Sequence, residues 1–83
     1  MPTIHKWDGY RAFFYSNEGN EPPHVHVVKA EHEAKFWLSP LVLAVNTGFP
    51  NRELTTISEE LISQEESLLK EWDDYFGNRN RRS

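Results

Sequence analysis

The spacing of apolar residues changes once along this chain, at Pro50: before it they alternate in short runs split by turn formers, and after it they recur every three or four residues. A sheet followed by helices is the arrangement such a pattern permits, so we expect an α+β fold with a four- or five-stranded, mostly antiparallel N-terminal sheet packed on one face by a C-terminal pair of helices. The 83 residues leave room for one thin core. Three Trp, five Phe and three Tyr supply much of the apolar area that makes such a core feasible.

Thr3 to Trp7 and Tyr10 to Ser16 read as a β-hairpin, because Asp8-Gly9 between them favours a tight two-residue turn. In the second arm Arg11, Phe13 and Tyr15 share one face and Tyr10, Ala12 and Phe14 the other, which predicts a central strand. Asn17 to Pro23 is a run of turn formers that cannot continue a ladder. His24 to Ala30 and Ala34 to Leu38 read as a second hairpin around a polar turn at Glu31-His32-Glu33. Ser39-Pro40 ends it, and Leu41 to Val45 reads as a buried strand, with one turn of helix as the alternative. Asn46-Thr47-Gly48 supplies a turn, and Pro50 with Glu53 behind it marks a helix start. Leu54, Ile57, Leu61, Ile62, Leu68, Leu69, Trp72 and Phe76 form the core stripe of two helices. A capping box at Ser63-Gln64-Glu65-Glu66 divides them, and Gly77 stops the second. Residues 1–77 are thus expected to be one domain and 78–83 a basic, disordered tail.

The net charge of −4 is unevenly spread. Residues 51–76 hold eight acids against Arg52 and Lys70, a face that repels phosphates, whereas residues 1–50 are near neutral and carry all four histidines. Any nucleic-acid contact is therefore expected through the sheet half or the tail alone. The absence of cysteine excludes disulfides and a zinc–thiolate site. A cytoplasmic location without membrane attachment is expected: Met1 to His5 lacks the basic and apolar regions of a signal peptide, and the longest apolar run, Leu41 to Val45, is too short to span a bilayer.

Candidate chemistry gathers between Tyr15 and Lys35. His24 and His26 stand two apart in a strand, so their rings share a face and could grip one metal ion, with Glu18, Glu21, His5 or His32 as a third ligand. His24 or His26 with Lys35, Arg11 or Tyr15 has the makeup of a metal-independent RNA-cleaving site, because imidazole titrates near neutrality. Lys35 and Trp37 on one face instead resemble a protein-binding hot spot, or Trp37 belongs to the core with Lys35 lying over it. No cofactor is expected, since the four glycines are isolated and form no phosphate-cradling loop. No motif names a reaction, which weighs against an enzyme.

The fourteen residues Phe14-Tyr15-Ser16-Asn17-Glu18-Gly19-Asn20-Glu21-Pro22-Pro23-His24-Val25-His26-Val27 resemble the signature of the bacterial domain of unknown function family 4160. Pro2-Thr3-Ile4, Gly9-Tyr10-Arg11, Ala34 to Leu38, Asn46-x-Gly48-Phe49, Arg52-Glu53-Leu54 and Trp72-x-x-Tyr75-Phe76 extend the likeness over nearly the whole chain. Pro50 departs from it, standing where the family often has a small polar helix cap. The resemblance implies a small single-domain protein, often encoded beside a second small protein in an arrangement similar to toxin–antitoxin pairs. It carries over no catalytic residue. The positions matching its motif are Tyr15, Ser16, Glu18, His24, His26 and Lys35. The leading expectation is a protein-interaction component of a two-gene, toxin–antitoxin-like or regulatory module, bound to a partner encoded nearby or to itself. A ribonuclease using His24 and His26 and a metal-binding domain are the alternatives.

Overall fold

The computed structural model describes residues 3–15 and 20–77. Five strands form one antiparallel sheet in chain order: β1 (Thr3–Trp7), β2 (Tyr10–Phe13), β3 (His24–Lys29), β4 (His32–Trp37) and β5 (Val42–Thr47). Helices α1 (Asn51–Ser63) and α2 (Glu65–Trp72) follow, and α2 runs on into a π-helical turn, Asp73–Gly77. The predicted α+β layout is the observed one, as a five-stranded meander.

Local chemistry explains the joints. Asp8 and Gly9 both adopt positive φ, 45° and 85°, the pattern of a type I′ turn whose twist matches the strands it joins. β2 lies between β1 and β3, as its two apolar faces predict. The β3–β4 turn is tighter than expected: Ala30, at φ 54°, and Glu31 alone make it, so His32 and Glu33 belong to β4. Asn46 braces the exit from β5, donating from Nδ2 to the Phe49 carbonyl (2.9 Å) and accepting at Oδ1 from the Phe49 amide (3.1 Å). Gly48 at φ 104° turns the chain there, where a Cβ would come within 2.4 Å of the His32 ring. Pro50 sits at the cap of α1, one position outside the helix, and its carbonyl accepts from the amides of Glu53 and Leu54.

The core lies between one face of the sheet and the helices. Ala12, Phe14, Val25, Val27, Ala34 and Phe36 meet Ile57, Leu61, Leu68, Trp72 and Phe76 there. Four expectations need correction. Ile62, placed in the core stripe, is 57% exposed, because Leu61 beside it already points inward. The capping box does not form: Ser63 Oγ donates back to the Glu60 carbonyl, and Gln64, with φ −108° and ψ 9°, makes the break. The run Leu41 to Val45 does form a strand, but β5 is an exposed edge and not a buried strand, with Val42, Leu43 and Val45 between 41% and 54% accessible. Trp37 lies on the face away from the helices, outside the core.

A register shift in β4–β5 pairs Val45 with Lys35 but Leu43 with Phe36, leaving Ala44 as an extra residue. The bulge brings Val42, Val45 and Thr47 to the open face together and keeps Leu43 on the helix side. No helix is long and apolar enough to cross a membrane among the described residues. The expected basic tail, residues 78–83, lies outside them.

Candidate functional site

The sheet face turned away from the core carries the candidate residues, because antiparallel pairing aligns their side chains. His24 stands opposite Trp37, His26 opposite Lys35 and, on its other side, Phe13, and Val28 opposite Glu33. Tyr15, just beyond β2, packs edge-on to both His26 (ring centroids 4.5 Å apart) and Phe13 (5.1 Å). Phe13 lies nearly parallel to His26 at 5.7 Å. These rings make a second, smaller apolar cluster beneath the polar groups.

The two histidines are not a solvated pair. His24 is fully buried, between Trp37 (5.5 Å) and Trp72 (5.0 Å), and its Nδ1 lies 2.9 Å from the Pro22 carbonyl. A carbonyl only accepts, so Nδ1 carries a proton in this contact and donates it. His26 is 7% exposed, and Glu33 Oε2 stands 3.3 Å from its Nδ1. The same carboxylate oxygen accepts a long 3.4 Å hydrogen bond from the Tyr15 hydroxyl. Lys35 donates to Glu21 Oε1 at 2.9 Å while its ammonium lies 4.5 Å from the Trp37 ring centre. Glu21 is also 3.8 Å from His24 Nδ1, tying the end of the Pro-rich loop to β3 and β4.

Tyr15, Glu21, His24, His26, Lys35 and Trp37 are thus all drawn to one face, whereas Ser16 and Glu18 lie outside the described residues. Glu33 joins them although sequence reasoning did not select it, having placed it in a turn. Its spacing of two from Lys35 and four from Trp37 was the available signal. Beside His26, Glu33 and Lys35 a depression of about 270 Å³ opens, bounded on its far side by Val45 and Thr47 of β5.

This arrangement suits binding better than proton transfer. Lys35 is neutralised by Glu21, and His24 is sealed from any substrate, so a two-histidine cleavage of RNA has no exposed pair to work with. Among the described residues no three His, Asp or Glu side chains stand close enough to hold one metal ion.

The sequence model of a family described as "Domain of unknown function (DUF4160)" matches residues 9–73. No curated protein and no solved structure matches the chain.

Proposed function

The chain belongs to the DUF4160 family, and from that premise and the geometry of β5 we propose that it is a protein-interaction module whose free sheet edge takes up an extended strand of a partner. The observation that carries the reading is the composition of that edge. Val42 to Thr47 contains no charge and no proline, and its large side chains are exposed. Proteins ordinarily guard such edges with lysine, proline, a bulge or a covering loop, because unpaired amides and carbonyls there recruit other chains; β5 has the bulge at Ala44 but neither lysine nor proline. The opposite edge, β1, carries Lys6 and is tied to α1 by His5 Nε2 and Glu60 Oε2 at 2.7 Å.

Strand addition supplies affinity through main-chain hydrogen bonds and specificity through side-chain pockets. The depression shared by His26, Glu33, Lys35, Val45 and Thr47 lies where alternate side chains of an added strand would fall. The partner is the second small protein of a two-gene, toxin–antitoxin-like module, and a core as thin as this one gains stability from being covered.

Co-expression with the product of the adjacent gene, followed by size-exclusion chromatography at micromolar concentration, is the test. A single complex is expected, and Val45→Lys should weaken it by at least about 10-fold, roughly 1.4 kcal/mol, with an unchanged circular dichroism spectrum. Separate elution of the two wild-type proteins, or an intact complex with Val45→Lys, refutes the reading.

A further inference from the structure

A different part of the molecule, the end of the β1–β2 hairpin, forms a cleft of about 420 Å³ that none of Tyr15, Glu21, His24, His26, Lys35 and Trp37 lines. Three cations border it, Lys6, Arg11 and Lys29, against one acid, Asp8. We propose that this cleft binds the phosphate groups of a small phosphorylated ligand.

Lys6 and Arg11 are direct cross-strand partners, so two like charges face each other on adjacent strands. Such a pair disfavours folding, and among the described residues no carboxylate stands within ion-pairing distance of Lys6, Arg11 or Lys29; the Arg11 guanidinium lies over the Phe13 ring at 5.6 Å instead. Lys35 and Lys70, by contrast, have Glu21 and Asp74 at 2.9 and 3.1 Å. An anion placed between Lys6 and Arg11 turns the repulsion into two attractions.

Lys29 borders the cleft from the helix-side face, on the other side of the sheet from Lys6 and Arg11. Its ammonium lies 4.4 Å from the centre of the Tyr10 ring, and its stem passes over Gly9, where a Cβ would approach Lys29 Cε to 3.1 Å. Trp7, stacked on His5 and tilted against Tyr10 with both centroids 5.1 Å away, lines the cleft on that same helix-side face. Arginine offers a planar fork and lysine a compact point charge, the two donor types that hold phosphate oxygens. The net charge of −6 across residues 51–76 disfavours a long polyanion lying over the molecule and selects a compact one.

Two sources carry this chemistry, a free diphosphate-type anion and the 5′-phosphorylated end of an RNA. The test is the thermal unfolding midpoint of the full chain titrated with inorganic pyrophosphate at constant ionic strength, with sodium sulfate as the control. A saturable rise specific to pyrophosphate is expected, and Lys6→Gln and Arg11→Gln should each raise its apparent Kd by at least about 10-fold. Without ligand, Lys6→Gln should melt no earlier than the wild type, since it removes a repulsion, so a folding defect cannot mimic the loss. A short RNA bearing a 5′-phosphate that binds more tightly than its 5′-hydroxyl form identifies the RNA end as the source; response to pyrophosphate alone identifies the free anion. No saturable rise, an equal rise with sulfate, or an unchanged Kd in both variants overturns the proposal.

Discussion

Tyr10 donates its hydroxyl to Glu53 Oε1 at 2.8 Å, linking β2 to the first turn of α1. Burial, reinforced by that bond and by the nearby carboxylates, pushes its phenol above the ordinary value of 10.0. The phenol is neutral when protonated, so between the unfolded and the raised folded value the native state holds the proton more tightly. Its contribution is therefore complete below about pH 10 and is lost as pH rises through the folded pKa. Tyr10→Phe should cost about 1 kcal/mol at pH 7 and flatten the alkaline decline relative to wild type, read by urea denaturation across pH. His24→Ala should cost about 2–4 kcal/mol on the same assay, because it empties a sealed site and strips the Pro22 carbonyl of its donor. A loss of any activity in that variant reports unfolding unless folding is shown to be intact. The period of two put His24 and His26 on one face correctly. It could not reveal that the face is covered by Trp37, Trp72, Phe13 and Tyr15.

At the level of elements, α1 offers a direct check of helical phase. Leu61 is fully buried and Ile62, its neighbour, 57% exposed. Leu61→Ala should destabilise by about 2–5 kcal/mol, whereas Ile62→Lys should stay within about 0.5 kcal/mol, both measured by equilibrium unfolding. Apolar spacing alone admitted both to the core, since a stripe wider than one residue per turn has two candidates at each edge. The division of the helices was legible in the gap between Ile62 and Leu68, but its chemistry was not. Ser63 spends its hydroxyl on the Glu60 carbonyl, and the chain bends at Gln64 without a side-chain cap. The π-helical turn from Asp73 to Gly77 left no signal in the sequence. It tucks Phe76 fully into the core beside Trp72, at 4.2 Å between ring centres.

Across the whole molecule, helices cover one face of the sheet, rings of its own cover part of the other, and one edge is left apolar and open. Charge is segregated to match, with acids on the helices and, at the far end of the β1–β2 hairpin, cations that pair with no carboxylate among the described residues. A chain of this size buries a modest share of its surface, so binding at β5 should also raise its unfolding midpoint as partner concentration increases. By itself the sequence determined the order of strands and helices, the turns at Asp8-Gly9 and Gly48, the helix start behind Pro50 and the family. These follow from local backbone preference and side-chain period, which neighbours along the chain dictate. Only the tertiary structure decided that β5 is an exposed edge, that His24 and His26 are buried, that Glu33 joins the face of Lys35, and that Lys6 and Arg11 meet with no carboxylate beside them among the described residues. Periodicity assigns a residue to a face, but what that face meets is set by contacts between residues far apart in the chain.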